Sequence, residues 1–276
     1  MNEYFGDLGD VWKHLPLAEI LRVNPPLHYW ETHAGSASYP LTASPPRQHG
    51  VLRFLAHAPD EPELQDSAYL QALRAMPDVY PGSPMIATRA LGQNADYILC
   101  DIDPESAANL RNATAELDAR VIEGDGVSAI THEAQLIRVN PADVLVHIDP
   151  FEPHERFAAN SKTSIELAGW LAKAGYRVIF WYRYDSIEQR GWARDAIGKL
   201  AVDVELWCGD SLMPASFIFP NRSGAWGCGV VLANAKSDEI DVCNRLGQAL
   251  ERISYGDFLN GNDPARLTFE VVGRTS

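Results

Sequence analysis

The segment from Leu27 to Tyr39 constrains the fold more than any other part of the sequence. Apolar and aromatic residues lead into the carboxylate of Glu31, and a turn of small residues containing one glycine, Gly35, follows. This pattern is typical of a buried parallel strand whose carboxyl end opens onto a ligand-binding crevice. The sequence therefore predicts an α/β fold with a functional site at this edge of the sheet.

The single glycine limits which cofactor this turn can bind. A dinucleotide site needs several glycines, because the backbone must approach a pyrophosphate closely, and the turn offers only Gly35. A cofactor without phosphates relaxes that demand, and S-adenosylmethionine (SAM) carries a sulfonium and an ammonium that suit a neighbouring carboxylate. Two interpretations stay open here: a SAM site, or an ordinary small-residue loop after a buried strand.

Composition narrows the class of protein. The chain has 276 residues, of which 46% are hydrophobic and 22% charged, and this suits one large α/β domain with an insertion. Its four cysteines are dispersed without metal-ligand spacing, which predicts buried thiols in a reducing compartment and no metal. Neither a signal sequence nor a membrane-spanning run is recognisable, so we expect a cytoplasmic protein that does not enter membranes.

Proline-rich turns divide the chain. A turn at residues 6–10 precedes a helical pattern that ends at Pro25 and Pro26. Between residues 45 and 84 apolar residues recur at helical intervals, which predicts a helical insertion between the two parts of the main domain, 1–44 and 85–276. At the end of this insertion, Ser83 is either a helix cap or a ligand contact.

Three further apolar runs also end in acidic residues. Asp101 ends the second strand, where doubly wound folds bind ribose hydroxyls. Asp125 and Gly126 end the third, where the carboxylate could accept a hydrogen bond from an exocyclic amine, although Asp-Gly is also a common turn. The fourth ends in Asp149 and Pro150, which place a carboxylate and a carbonyl, both acceptors, at the sheet edge. Later strands are predicted near 177–181, 204–208 and 227–234.

Six segments of the chain resemble, in order and approximate spacing, the RlmJ-type family of 23S ribosomal RNA adenine-N6 methyltransferases. They are Gly9–His14, Glu31–Gly35, Tyr80–Pro84, Asp101–Pro104, Asp125–Gly126 and Ile148–Pro150. The resemblance implies a Rossmann-like class I methyltransferase fold: a mostly parallel seven-stranded sheet with helices on both faces and a small helical insertion after the first strand. It also implies SAM as the cofactor and no metal.

The resemblance also implies roles for particular residues. Cofactor contacts are expected from His14, His33, Ser83, Asp101, Asp125 and Gly126, together with Gly35 of the first turn. Asp101 would bind the ribose and Asp125 the adenine. Asp149 would be nearest to the chemistry, with Pro150 beside it and Lys13 lining the site.

One motif departs from the family pattern. The family has Asp-Pro-Pro-Tyr, in which the carboxylate and the first proline carbonyl accept the two amine hydrogens of adenine while the tyrosine stacks on the base. This chain has Asp149-Pro150-Phe151-Glu152. Glu152 is a second candidate catalytic carboxylate that would orient a polar or cationic substrate or deprotonate an amine or hydroxyl; otherwise it is a solvated turn residue.

These observations leave three functions open. We favour a SAM-dependent methyltransferase acting on nitrogen or oxygen of a small polar acceptor, because the net charge of −14 disfavours RNA. The alternatives are the family activity on 23S ribosomal RNA and a non-catalytic SAM-binding protein. A basic surface cluster would favour RNA; its candidate members are Arg47, Arg53, Arg74 and Arg89. We expect a monomer or weak dimer. Four aromatic residues near the later strands either belong to the core or form a substrate wall, for which Trp181 and Tyr182 are the better candidates; the other two are Tyr184 and Trp226.

Overall fold

The computed structural model describes residues 5–136, 138–219, 221–255 and 268–272. Its strands are, in chain order, β1 (His28–Glu31), β2 (Ser38–Pro40), β3 (Val79–Pro81), β4 (Asp96–Asp101), β5 (Ala119–Glu123), β6 (Val144–Ile148), β7 (Arg177–Tyr184), β8 (Leu206–Pro214), β9 (Ala225–Ala233) and β10 (Thr268–Val272). Its α-helices are α1 (Leu8–Val23), α2 (Pro45–His49), α3 (Val51–His57), α4 (Ala68–Arg74), α5 (Ser83–Leu91), α6 (Pro104–Ala113), α7 (Gly126–Leu136), α8 (Ser164–Lys173), α9 (Trp192–Leu200) and α10 (Ser237–Tyr255).

Within the described residues, one eight-stranded sheet has the order β10-β8-β9-β7-β6-β1-β4-β5. The five strands β7, β6, β1, β4 and β5 are parallel to one another, whereas β9 pairs antiparallel with β7 and β8, and β10 pairs antiparallel with β8. The mostly parallel Rossmann-like sheet is thereby confirmed. Seven of its strands are the predicted ones, and β10 adds an eighth at the edge beyond β8.

Alternating side chains of the central strands fill two separate cores. Tyr29 on β1 belongs to one hydrophobic cluster and its neighbour Trp30 to the other. Successive side chains of a strand point to opposite faces, so the sheet is covered on both sides. The first cluster includes residues of α1, the helices of 45–84 and α10, and the second includes residues of α7, α8 and α9.

Helix α1 brings charged residues to the carboxyl edge of the sheet. Asp7 caps the helix, since its side chain accepts a hydrogen bond from the backbone N–H of Asp10. The helix is buried on almost every side, because it contacts β9, α3, α4, α5 and α10. Its first two turns therefore deliver Lys13 and His14 into the interior beside the ends of the strands.

Three short helices, α2, α3 and α4, lie within the segment expected to form the insertion. The antiparallel pair β2 and β3 brackets them, so the segment leaves and rejoins the main chain at one place. Val51, Phe54 and Tyr69 from these helices are buried in the same cluster as α1. The division of the chain into a main domain and a subdomain at 45–84 stays a prediction.

Candidate active site

A cavity of about 350 Å³ lies at the carboxyl edge of the sheet, beside the first turns of α1. Most of the site residues expected from sequence line it together: Lys13, His14, His33, Gly35, Ser83, Asp101, Asp149 and Pro150. Asp125, Gly126 and Glu152 are not among its lining residues. The sequence-distant strand ends and α1 thus converge on one site.

Lys13 holds the carboxylate at the end of β6. Its ammonium lies 2.6 Å from Oδ2 of Asp149 and 2.8 Å from Oδ1 of Asp10, and all three side chains are largely buried. Burial alone would lower the pKa of Lys13, but the charges of Asp10 and Asp149 outweigh it and raise that pKa well above its usual value. The lysine is a permanent cation clamped between two carboxylates.

His14, which lines the same cavity, has a ring nitrogen without a hydrogen-bond partner among the described residues. Its Nδ1 lies 2.8 Å from the Tyr80 hydroxyl, which accepts a hydrogen bond from the Tyr69 hydroxyl. Burial, followed by the charge of Lys13, lowers the pKa of His14 well below its usual value, so the ring is neutral. Because the Tyr80 proton is free to be donated to Nδ1, the His14 proton belongs on Nε2, which is buried and has no partner among the described residues.

Glu31 is fully buried behind the cavity and accepts three hydrogen bonds. They come from the hydroxyl of Ser83 at 2.5 Å, the hydroxyl of Tyr29 at 3.0 Å and Nδ1 of His147 at 2.7 Å. Since Ser83 also lines the cavity, the carboxylate of Glu31 fixes the first turn of α5 against the end of β1. The helix-cap alternative for Ser83 is wrong, because Gly82 is the cap residue of α5. A ligand contact of Ser83 stays a prediction.

Asp101 fixes the small-residue turn after β1. Its two carboxylate oxygens accept hydrogen bonds from the backbone N–H of Gly35, at 2.7 Å, and of Asp103, at 2.8 Å. Gly35 has φ +62°, a conformation that favours glycine. Beside it, Nδ1 of His33 lies 2.7 Å from the Thr32 hydroxyl, and burial lowers the pKa of His33. This part of the wall combines a carboxylate, exposed backbone and a neutral imidazole.

Asp125 and Gly126 sit at the start of α7, next to the wall rather than on it. The Asp125 carboxylate accepts from the backbone N–H groups of Val127 and Ser128, at 3.3 and 3.0 Å. A Cβ on Gly126 would lie 1.8 Å from the carbonyl oxygen of Thr32, so only glycine allows α7 to approach this turn. The pair holds the helix against the loop that carries His33.

Glu152 forms an ion pair at the mouth of the cavity. Its carboxylate accepts a hydrogen bond of 3.0 Å from Arg183. The Arg183 guanidinium also lies 4.6 Å from the ring centre of Phe151, which is 66% exposed. Arg183 and Phe151 line the cavity, whereas Glu152 does not. A catalytic role for Glu152 stays a prediction, and in this geometry its charge is committed to Arg183.

The aromatic candidates separate into wall and core. Trp181 and Trp226 line the cavity, and the Lys13 ammonium lies 5.6 Å from the Trp181 ring centre. Tyr182 and Tyr184 alternate with Trp181 along β7, so their side chains point to the other face of the sheet, and they are buried in the second core.

Three charged residues that line the cavity were given no role from sequence: Asp7, Asp10 and Arg183. Asp10 was accessible to sequence reasoning, because it precedes Lys13 by three helical positions and therefore shares its face. Arg183 was also accessible, since it lies two positions after Trp181 on the same strand and so shares its side of the sheet. Nothing local distinguishes Asp7 from an ordinary helix cap.

Within the described residues, no group of three or more His, Cys, Asp or Glu side chains is arranged to hold a metal ion. None of the helices in that part of the chain combines the length and apolarity of a bilayer crossing. All four cysteines are buried and free of disulfides.

A match to a family model makes this protein a class I SAM-dependent methyltransferase, and its mostly parallel sheet with a cavity at the carboxyl edge agrees with that class. A family model described as "RsmJ: Ribosomal RNA large subunit methyltransferase D, RlmJ" matches residues 24–197, and the chain belongs to this family. No curated protein sequence matches the chain.

One solved structure shares the fold over nearly the whole chain, and two others are similar at lower TM-scores. A Legionella pneumophila protein, LPL1258 of family DUF519, superposes with a TM-score of 0.74 at 19% identity, with 99% of each chain covered. A SAM-dependent methyltransferase from Agrobacterium tumefaciens has a TM-score of 0.43 at 9% identity, covering 81% of this chain and 61% of that one. The precorrin-6y C5,15-methyltransferase of Geobacter metallireducens has a TM-score of 0.38 at 10% identity, covering 79% and 83%.

The cavity fits SAM, the cofactor of this class. The unpartnered Nε2 of His14 is a buried donor suited to the carboxylate of the cofactor's methionine part. Asp101, at the end of β4, lies where such folds bind ribose hydroxyls. The carboxylates that line the cavity suit the positive charges of the cofactor, and the turn at Gly35 leaves its backbone accessible.

Proposed function

We propose that this protein transfers the methyl group of SAM to nitrogen or oxygen of a small polar acceptor. The observation that carries the proposal is the placement of Asp149 and Pro150, braced by Lys13, in the same cavity as the cofactor-side residues. The proposed cofactor contacts are His14, His33, Gly35, Ser83 and Asp101, with Asp125 and Gly126 bordering them.

When bound, SAM supplies an electrophilic methyl group on a cationic sulfur. The chain's own residues then act on the acceptor. The carboxylate of Asp149 and the carbonyl of Pro150 accept hydrogen bonds from an N–H or O–H group, which orients its lone pair and draws off its proton. Lys13 prevents rotation of the carboxylate, because it anchors Oδ2 from the side of α1.

Two observations favour a small acceptor. The arginines that would form an RNA-binding cluster have separate surroundings: Arg47 stacks on Phe5, Arg53 donates to the carbonyl of Ile253, and Arg89 lines a different groove with Arg22. Four carboxylates but only two permanent cations line the cavity, which disfavours approach of a phosphate backbone; they are Asp7, Asp10, Asp101 and Asp149 against Lys13 and Arg183.

The family activity on adenine of 23S ribosomal RNA is the second candidate. The exposed Phe151 ring and the Arg183 guanidinium stacked on it favour this candidate, because both are surfaces on which an unpaired base stacks. The third candidate is a non-catalytic SAM-binding protein. It gives no function to the ion pair that Lys13 forms with Asp149 in the cavity.

Measurements of SAM binding and of methyl transfer distinguish the two methyltransferase functions from a protein that only binds SAM. We expect calorimetry to detect SAM binding by the wild-type protein and by Asp149→Asn, and weaker binding by Asp101→Asn. Asp149→Asn should reduce methyl transfer by roughly 10²–10⁴-fold, the usual contribution of a positioned acid–base group. Asp118→Asn, at an exposed aspartate away from the cavity, is the control. An unchanged rate in Asp149→Asn contradicts the assignment of the acceptor site.

The acceptor is tested with radiolabelled SAM on two substrates. One is undermodified 23S ribosomal RNA from a strain lacking the family enzyme, and the other is a set of small amines and alcohols. Transfer to small molecules but not to RNA supports the proposal. Efficient transfer to RNA supports the second candidate, and SAM binding without any transfer supports the third.

A further inference from the structure

Glu31, at the end of β1, is a buried carboxylate to which the proposed function assigns no role. Glu31 and its partner His147 are both fully buried, and neither lines the cavity. Oε1 of Glu31 accepts hydrogen bonds from the Ser83 hydroxyl and from Nδ1 of His147, whereas Oε2 accepts one from the Tyr29 hydroxyl. Of these three donors, Ser83 is the one that also lines the cavity. Glu31 is therefore linked to the cavity through Ser83.

The hydrogen bond between Ser83 and Glu31 determines what the Ser83 side chain offers to a ligand. A carboxylate only accepts hydrogen bonds, and a serine hydroxyl has one proton to donate. That proton is directed at Oε1 of Glu31, at an oxygen–oxygen distance of 2.5 Å. The lone pairs of the Ser83 oxygen are what remains for the cavity. The Ser83 side chain therefore accepts a hydrogen bond from a ligand there and does not donate one.

His14, on the neighbouring helix, offers the opposite group to the same cavity. Its Nε2 carries the proton, because Nδ1 accepts the Tyr80 hydroxyl, and this buried N–H has no partner among the described residues. Helices α1 and α5 pack against each other, so the His14 donor and the Ser83 acceptor line one cavity. A donor and an acceptor together match the two charged groups of an α-amino acid, since its carboxylate accepts hydrogen bonds and its ammonium donates them.

We propose that Glu31 is a positioning residue for the cofactor: it holds the Ser83 hydroxyl in the direction that accepts a hydrogen bond from the ammonium group of SAM. His14 Nε2 is then left for the carboxylate of the same methionine part. The inference rests on the proposed contact of Ser83 with the cofactor, and it applies equally to a small acceptor and to RNA.

The first turn of α5 provides the competing assignment. Helix N-termini attract anions through their free backbone N–H groups, so the cofactor carboxylate could lie there instead of the ammonium. Pro84 follows Ser83 in this turn and has no N–H, which removes one of those donors. The two assignments predict opposite effects of a substitution at Ser83.

Calorimetry with three ligands measures the two charged groups separately. The ligands are S-adenosylhomocysteine, its analogue without the α-ammonium group, and its analogue without the carboxylate. The ratio of the affinities for the parent and for one analogue is the preference of the protein for the missing group. A general loss of packing lowers all three affinities together, whereas a role in binding one group changes one ratio.

Ser83→Ala removes the acceptor and leaves Glu31 with two donors. We expect its preference for the ammonium group to fall roughly tenfold or more, the usual effect of losing a hydrogen bond to a charged group. Its preference for the carboxylate should stay at the wild-type value.

Substitutions of Glu31 test the positioning itself. The oxygen of Glu31→Gln can accept from Ser83 and His147 while its amide donates to the Tyr29 hydroxyl, so this variant should keep the ammonium preference. Glu31→Met frees the Ser83 hydroxyl to rotate, and its preference should fall toward that of Ser83→Ala. If Glu31→Met does not fold, Glu31→Asp takes its place, because its carboxylate is one methylene further from Ser83. Tyr29→Phe is the matched control, since it removes only the hydrogen bond to Oε2.

Three results overturn the inference: an unchanged ammonium preference in Ser83→Ala, a fall in its carboxylate preference instead, or an effect of Glu31→Met, or of its replacement, no larger than that of Tyr29→Phe. A wild type that binds none of the three ligands at millimolar concentration overturns the cofactor contacts and this inference together. The proposed function fails separately, if the wild type binds S-adenosylhomocysteine with the expected ratios but transfers no methyl group to small amines or alcohols.

Discussion

At the residue scale, one buried cation, Lys13, is shared by two carboxylates, and this sharing predicts how stability responds to substitution of each partner. Lys13→Met leaves both Asp10 and Asp149 without their cation in a buried site, and removing one partner of a buried ion pair costs about 3–5 kcal/mol. Asp149→Asn leaves Lys13 paired with Asp10. We therefore expect a much larger loss of unfolding free energy in urea for Lys13→Met than for Asp149→Asn; similar losses would contradict the clamp.

Asp7 makes stability depend on pH. Its raised pKa of about 7 means that the folded chain holds a proton which the unfolded chain, with the ordinary value of 3.8, releases. From about pH 4 to pH 7 the contribution of this group to stability falls as pH rises, because the unfolded state binds fewer protons. Asp7→Asn lacks this loss, so its Tm minus that of the wild type should increase across this range. A constant difference, like that expected for the exposed Asp118→Asn, would contradict the raised pKa.

The sequence was sufficient to predict those cavity residues that come directly at the end of a strand. Asp101 and Asp149 each end an apolar run, and parallel strands bring their carboxyl ends to one edge, so their convergence required no tertiary information. Trp226 and Asp7 are different. They meet across 219 positions because Gly9 lets an indole of β9 lie over the start of α1, and no local pattern records that contact.

At the scale of elements, the approach of α7 to the turn after β1 predicts a sharp difference between two glycines. A Cβ on Gly126 would lie 1.8 Å from backbone oxygen, whereas one on Gly198, in α9, has 3.6 Å to its nearest neighbour. We expect Gly126→Ala to lose roughly 1–3 kcal/mol or more of unfolding free energy through overpacking and to weaken SAM binding, as His33 shifts with the loop. Gly198→Ala should be neutral or stabilising by up to about 1 kcal/mol. Equal Tm values and SAM affinities in the two variants would contradict this packing.

The predicted elements agree with the structure where burial is continuous. The central strand β6 is buried at all five positions and its apolar run was unmistakable in the sequence. Strands β7 and β8 extend further than predicted, to Tyr184 and Pro214, because antiparallel pairing with β9 stabilises polar and glycine positions such as Arg183 and Gly209 that interrupt an apolar run. The same pairing dependence explains β10, whose five residues adopt strand structure at the free edge of β8.

At the scale of the whole molecule, the net charge of −14 opposes a polyanionic substrate, and three of the four arginines that could offset it, Arg47, Arg53 and Arg89, each have different contacts. Affinity for nucleic acid depends on how many phosphates are neutralised, so log K falls with log salt in proportion to that number. A chain that contacts few phosphates should have weak affinity and a shallow slope. The measured slope of log K against log salt therefore gives the number of phosphates that the protein contacts.

We expect the protein to bind a 23S ribosomal RNA fragment no more tightly than about 10⁻⁶ M at physiological salt, the range of non-specific binding, and with a small salt slope. Fluorescence anisotropy at several salt concentrations measures both quantities. Arg47→Gln tests an arginine that lies beside the cavity, since Arg47 stacks on the cavity residue Phe5. Arg252→Gln is its control, because Arg252 pairs with Glu61 away from the cavity. Nanomolar affinity with a steep salt slope would instead assign the acceptor to RNA. In that case Arg47→Gln should lower the magnitude of the slope by about one, and Arg252→Gln should leave it unchanged.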